Sequence, residues 1–164
     1  MSKRDLIFCL IVASALAFGA ADRKAAHSER TDVLSIFERR TFDAINEQRR
    51  MHGLPNLIWS DKLGEVAQAH SVNMASDRFF SHVDPLRGGL TRRLNAAGVH
   101  WRMCGENIFQ AEGYDDPVPV AVEGWMKSPG HRRNILDPNF NHTGVGFTLG
   151  PGRVFYVTQE FVRF

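Results

Sequence analysis

Four short motifs in the second half of the chain carry the residue types that bind metals or transfer protons. They are Ser81-His82-Val83-Asp84-Pro85, Gly105-Glu106-Asn107-Ile108, Glu123-Gly124-Trp125-Met126 and Ser128-Pro129-Gly130-His131-Arg132. Each has an imidazole or a carboxylate close to a glycine or proline, which favours a turn or a cleft over a packed core. Two imidazoles and two carboxylates can hold a divalent cation or move a proton.

The candidate metal ligands are His82 and His131, because neutral imidazole is a common ligand of zinc and similar cations. Glu106 and Glu123 are the carboxylates available to ligate a cation or to orient the imidazoles. Asn107 is predicted to hold the cleft loop beside Glu106. The helical H-E-x-x-H pattern, whose spacing defines a zinc geometry, is absent from the sequence. The residue types alone therefore leave metal binding open.

Nucleophilic catalysis has less support in the sequence. There is no G-x-S-x-G motif. Ser81 adjoins His82, and Ser128 precedes His131, but neighbours in sequence need not share a hydrogen bond. Cys104 beside either histidine would make a thiolate pair, although a free cysteine is more often a buried apolar residue. No catalytic residue is assigned, and a protein without enzymatic activity is favoured over a peptidase.

Residues 1–21 are predicted to be a secretory signal peptide. Lys3 and Arg4 precede the apolar run from Leu6 to Ala17, and small residues lead to a cleavage site after Ala21. The run is shorter than the roughly 20 apolar residues of a spanning helix. The sequence therefore predicts export to the extracellular or periplasmic space, with no transmembrane segment after cleavage.

Residues 22–34 are predicted to be a polar lead and residues 35–164 a single domain. The chain is 43% hydrophobic and 23% charged, which is ordinary for a globular domain. Its net charge is only +2, and its basic residues are scattered along the chain, usually in pairs. This pattern is typical of solvated surfaces and argues against a nucleic-acid partner. Cleavage would leave Cys104 without a partner, so the core must be stable without an internal disulfide.

Hydrophobic periodicity predicts helices followed by a β-hairpin. The predicted elements are a helix from Thr31 or Asp32 to His52-Gly53, a helix from Ser60 through Met74, a short helix over Leu90 to Ala97, a strand over Asn107 to Gln110, a helix through Val120 to Met126 that Pro129-Gly130 ends, and strands over Thr143 to Leu149 and Arg153 to Val162. The last strand is apolar on both faces, which predicts helices on both sides of the sheet. The fold class is α+β, a three-layer α-β-α sandwich with a small antiparallel sheet. His70, on an apolar helix face, is predicted to be a hydrogen-bonded core residue.

The combination of SH-x-DP, GEN and PGHR-x-NIL, in this order, resembles the CAP superfamily of cysteine-rich secretory, antigen 5 and pathogenesis-related proteins. Within it, the chain is most similar to the bacterial SCP-like extracellular branch, over residues 35–164. The resemblance implies an α-β-α sandwich with a central cleft. It also implies a His-Glu-Glu-His tetrad, which coordinates zinc or another divalent cation in some members.

Three tetrad positions carry over to this chain, namely His82, Glu106 and His131. In eukaryotic members the second glutamate comes just after the helix tryptophan, where this chain has Lys127-Ser128, and the nearest acid is Glu123. The resemblance implies a secreted protein whose cleft binds a divalent metal or a small ligand, including a lipid. The alternatives are a hydrolase of envelope or extracellular substrates and an interaction module that works through its surface loops.

Overall fold

The structure is a computed structural model that describes residues 33–164. The predicted signal peptide, the predicted start of the first helix and most of the polar lead fall outside this range. None of the helices between residues 33 and 164 has the length and apolar character of a bilayer-spanning segment.

The helices and strands of the described chain follow one another in a mixed order. They are α1 (residues 33–51), β1 (Ile58–Trp59), α2 (Asp61–Ser76), α3 (Leu90–Ala96), β2 (Met103–Glu112), α4 (Val118–Lys127), α5 (Pro129–Ile135), β3 (His142–Leu149) and β4 (Val154–Arg163). A short 3-10 turn at Pro151–Arg153 connects the last two strands.

Two helix boundaries lie where local sequence signals predict them. Ser60 is the N-cap of α2, and its hydroxyl accepts a hydrogen bond from the N–H of Leu63, which satisfies a donor of the first turn. Lys127 ends α4 because Ser128, the residue before Pro129, has extended backbone (φ −88°, ψ 119°). Both predictions are confirmed.

Strand β2 is longer than the predicted strand over Asn107 to Gln110. It runs over Met103–Glu112 and pairs with β4 along its whole length, from Met103 opposite Arg163 to Glu112 opposite Val154. Hydrogen bonds to a partner far away in sequence extend it in both directions, and local periodicity does not contain that information.

The sheet of the described residues has four strands in the order β1-β3-β4-β2. Strands β3, β4 and β2 are antiparallel, as predicted, whereas the two-residue β1 adds a parallel edge beside His142 and Thr143. In the β2–β4 ladder, Glu106 lies directly opposite Glu160.

Helices cover both faces of the sheet, and the predicted three-layer sandwich is confirmed. On one face, the hydroxyl of Ser71 in α2 donates to Thr158 Oγ1 in β4 at 2.9 Å. Aromatic pairs mark the other face: Phe37 of α1 with Phe155 at 5.9 Å, and Trp125 of α4 with Phe109 at 6.4 Å between ring centroids. Since neighbouring residues of a strand point to opposite faces, β4 is buried on both sides, as its sequence predicts.

Two glycines of β3 allow α2 to lie directly on the sheet. A Cβ atom at Gly144 would lie 2.1 Å from the backbone nitrogen of Gly64, and one at Gly146 would lie 2.2 Å from that of Gln68. The obstructing atoms belong to the helix backbone, so no side-chain rotation can relieve the clash. The backbone of α2 therefore lies directly against β3 at Gly64 and Gln68.

We therefore expect Gly144→Ala to lower the free energy of unfolding by about 3 kcal/mol or more, at the upper end of what overpacking costs. The reason is that α2 must move away from β3 to admit the new methyl group. The measurement is urea denaturation followed by tryptophan fluorescence. Gly89→Ala is the control, because a Cβ at Gly89 has nothing within 4 Å. Equal midpoints for the two variants would contradict the prediction.

Candidate functional site

His82 lies in the loop between α2 and α3, and a buried aspartate holds this loop in place. Asp84 is 1% exposed. Its Oδ1 accepts hydrogen bonds from the backbone N–H groups of Leu86 and Arg87, both at 2.9 Å, and its Oδ2 accepts one from Asn73 at 3.0 Å. Burial opposes ionisation, but these backbone donors together with the Arg87 guanidinium outweigh it and lower the pKa of Asp84. The aspartate of the SH-x-DP motif is therefore structural, and the His82 side chain remains 53% exposed.

Glu106 approaches His82 from strand β2. Its side chain is only 3% exposed, and its Oε1 lies 2.7 Å from His82 Nδ1. The other oxygen, Oε2, accepts a hydrogen bond from Arg93 Nη2. Burial raises the pKa of Glu106, but the hydrogen bond with His82 and the charge of Arg93 outweigh it, so that the pKa is lowered overall. Glu106 is thus a buried carboxylate whose two oxygens bind different partners.

Arg93 connects the parts of the site. It is 8% exposed, and besides Glu106 its guanidinium donates to the backbone carbonyl of His82 at 3.0 Å and to that of Gly88 at 3.1 Å. The interpretation of the paired basic residues as solvated is therefore wrong for Arg93, although its neighbour Arg92 is exposed. Sequence reasoning missed Arg93 because the charge pattern does not distinguish a buried arginine from an exposed one.

His131 reaches the same region from α5. Its ring centroid lies 6.4 Å from that of His82. Asn107 Nδ2 donates to the carbonyl of His131 at 3.2 Å, and Asn134 Nδ2 donates to Asn107 Oδ1 at 2.9 Å and to the carbonyl of Glu106 at 3.1 Å. The amides therefore hold α5 against β2. Burial and then the charge of His82 lower the pKa of His131, which favours a neutral imidazole.

Glu123 lies apart from this group. Its side chain is 65% exposed on α4 and forms an ion pair with Lys127, one helical turn further on. The buried residue of this helix is Trp125, which is 0% exposed and donates from its indole to the carbonyl of Ile108 at 3.0 Å. The structure thus brings together His82, Glu106 and His131 but not Glu123.

Two further buried groups complete the cluster. His70 is 0% exposed and its Nε2 lies 3.0 Å from the carbonyl of Ser81, which confirms the prediction of a hydrogen-bonded core histidine. Burial is the largest cause of its lowered pKa. Glu160, opposite Glu106 on β4, is 0% exposed and lies 3.5 Å from Arg93 Nη2. Sequence reasoning missed Glu160, although the alternation of β4 places this acid on the same face as the apolar Val162.

The nucleophile candidates do not join the histidines. Ser81 Oγ accepts a hydrogen bond from the N–H of Val83 at 3.1 Å. Burial is the largest cause of the raised pKa of the Cys104 thiol, and Cys104 packs on the apolar cluster around Leu94. A thiolate is disfavoured there.

The side chains that could bind a metal ion limit the kind of metal site that can form here. Within residues 33–164, no group of three or more histidine, cysteine, aspartate or glutamate side chains is arranged to hold a metal ion. His82 and His131 provide two imidazoles, and Glu106 already binds His82 Nδ1. These residues fit an open site with two protein ligands and a carboxylate behind one of them, not a closed structural site with four ligands.

The chain combines an α-β-α sandwich with a pair of histidines beside a buried glutamate, and this combination is the one that the resemblance to the CAP superfamily implies. The chain belongs to the CAP family: the profile described as "Cysteine-rich secretory protein family" matches residues 42–161. The resemblance inferred from the three motifs is thus confirmed.

The chain is similar to bacterial proteins in particular. It is 40% identical over 141 residues to the uncharacterized membrane protein YlbC of Bacillus subtilis, covering 85% of this chain and 38% of that protein. It is 34% identical over 149 residues to the uncharacterized protein YkwD of the same organism, covering 87% of this chain and 56% of YkwD. The chain therefore spans only part of the length of these relatives.

A solved structure shares both fold and sequence with the chain. It is that of an extracellular protein containing an SCP domain from Bacillus anthracis, which is 34% identical, with a TM-score of 0.71, over 80% of this chain and 42% of that one. This similarity supports assignment to the bacterial branch of the family.

The buried pair of Arg93 and Glu106 leads to a prediction about stability. We expect Arg93→Leu to lower the free energy of unfolding by about 3–5 kcal/mol, because it leaves the Glu106 carboxylate buried without its cation. The exposed neighbour Arg92→Leu is the matched control and should change stability by about 0.5 kcal/mol or less. Urea denaturation of both variants measures the difference.

The same pair has a defined pH dependence. The folded-state pKa of Glu106 is lowered, so its stabilising effect is present above the pKa of an unfolded glutamate and is lost as the pH falls through the folded value. The cost of Arg93→Leu should therefore shrink in acid, where the carboxyl groups become protonated. A cost that stays constant between neutral and acidic pH would contradict the ion-pair assignment.

Proposed function

We propose that this chain is an exported CAP-domain binding protein that captures a divalent cation, such as zinc, between His82 and His131. The observation that carries the proposal is the 2.7 Å contact between His82 Nδ1 and Glu106 Oε1. A carboxylate only accepts hydrogen bonds, so Nδ1 bears a proton, and in the neutral imidazole Nε2 then keeps its lone pair for a cation. Carboxylate–histidine pairs of this kind orient metal-binding imidazoles and make them more basic.

His131 supplies the second imidazole. Its lowered pKa keeps it neutral near physiological pH, and only a neutral imidazole has a lone pair for a cation. The rings of His131 and His82 are 6.4 Å apart between centroids and tilted by 50° to each other. With two protein ligands, the remaining coordination positions would belong to water or to a small ligand, and the cation, when bound, would supply Lewis acidity to that ligand.

The other residues of the site have supporting roles in this proposal. Glu106 orients His82 and balances positive charge in the cleft, and Arg93 holds Glu106 in its ionised form. Asn107 and Asn134 keep α5, and with it His131, at the edge of β2. Glu123 has no part, since its carboxylate is exposed and paired with Lys127.

Export belongs to the proposal, with residues 1–21 as a cleaved signal peptide. Its support is the basic start and the apolar run of the sequence, and the extracellular description of the Bacillus anthracis relative. For the described residues, no observation of comparable weight favours a hydrolase, a lipid-binding cleft or a surface-loop interaction module.

The test is calorimetric titration of zinc into the purified chain. We expect the wild-type protein to bind zinc and the His82→Ala, His131→Ala double variant to lose the binding heat, because both imidazole ligands are gone. The matched control is His100→Ala, an exposed histidine, which should bind as the wild type does. Unchanged zinc binding in the double variant would rule out this function.

A further inference from the structure

Glu106 and Glu160 form a buried pair of acids. They are directly opposite in the β2–β4 ladder, where side chains on the same face have Cβ atoms about 4.5–5.5 Å apart. Their side chains are 3% and 0% exposed. Two acidic groups therefore meet inside the protein, behind His82 and out of contact with solvent.

Arg93 is the cation that faces both acids. Its Nη2 binds Glu106 Oε2 and lies 3.5 Å from Glu160 Oε1. The other titratable groups around the pair are His82, which contacts Glu106, His70 on α2, whose pKa is lowered by burial, and Cys104 on β2, whose pKa is raised by burial. With these three groups in their neutral forms, Arg93 balances only one of two ionised glutamates, and one negative charge would be left uncompensated. A buried group in that situation usually takes up a proton instead.

The hydrogen bonds identify which acid carries the proton. Glu106 accepts hydrogen bonds on both oxygens, from His82 and Arg93. Neither oxygen of Glu160 accepts a hydrogen bond from a described residue. A buried carboxylate without donors is strongly disfavoured, whereas a carboxylic acid has its own O–H to donate. Burial, followed by the charge of Glu106, raises the pKa of Glu160 well above its ordinary value.

We propose that Glu160 is a positioning acid of the site: a neutral carboxylic acid that donates a hydrogen bond to the Glu106 carboxylate. A hydrogen bond to an ionised acceptor is about twice as strong as one between neutral groups. It restrains Glu106 together with Arg93, so that Oε1 stays directed at His82 Nδ1. Glu160 thus acts on the cleft through Glu106 and has no contact with a ligand. Its effect on cation affinity rests on the proposed function, whereas its protonation does not.

Infrared spectroscopy of the full chain tests the protonation directly. At neutral pH we expect a carbonyl stretching band of a protonated carboxylic acid, which an ionised carboxylate does not have. The band should disappear in Glu160→Gln and persist in Glu112→Gln, a control at an exposed acid of the same sheet. A spectrum without the band, or a band that survives Glu160→Gln, would overturn the proposal.

The positioning role is tested by comparing Glu160→Gln with Glu160→Leu. The glutamine amide can still donate to Glu106, so this variant should retain the Nδ1–H tautomer of His82, observed by nitrogen NMR, and wild-type zinc affinity. Leucine has a similar size but no donor. Glu160→Leu should therefore show mixed tautomers and about 10- to 100-fold weaker zinc binding, as for loss of other groups that orient metal ligands.

The outcomes separate the two proposals. If the wild-type chain binds no zinc, the proposed function fails. The role of Glu160 is still tested in that case, by the infrared band for its protonation and by the His82 tautomer for its positioning effect. If Glu160→Leu retains both the tautomer and the zinc affinity of the wild type, the positioning role is overturned even where the acid band is present.

Discussion

A single guanidinium, that of Arg93, joins the three segments of chain that form the site. It lies in α3, donates to the loop carbonyl of His82 and binds the Glu106 carboxylate of β2. Both charges are almost fully buried, so neither is tolerated without the other. The loop, the helix and the strand must therefore assemble together. The position of the exposed His82 imidazole depends on an ion pair that solvent does not reach.

Consecutive residues of strand β2 contribute side chains to opposite sides of the sheet. Because side chains alternate along a strand, Glu106 points to the layer of α2 and α3, where it meets His82 and Arg93. Asn107 points to the opposite layer, where it binds the carbonyl of His131. The two histidines thus come from different layers and meet at the edge of the sheet. The close contact of α2 with Gly144 and Gly146 brings the layer of α2 and α3 close to the sheet.

The second acid of the site differs from the one that the motifs suggest. Glu123, the acid nearest to the position where eukaryotic family members have their second glutamate, lies on the exposed face of α4. The second buried acid is Glu160 of β4, directly opposite Glu106. Its position places two carboxyl groups beside one arginine, which can balance the charge of only one of them.

The sequence by itself determined the features that depend on local chemistry. The Ser60 cap, the end of α4 before Pro129, the double-sided burial of β4 and the choice of His82, Glu106 and His131 as candidate site residues all follow from neighbouring residues or short motifs. The tertiary structure alone decided the length of β2, the burial of Arg93 and the pairing of Glu160 with Glu106. These depend on strand register and on contacts between segments far apart in the chain. Local periodicity predicts which face of a helix or strand a residue lies on. Only the packing of distant segments decides which charged group lies next to it there.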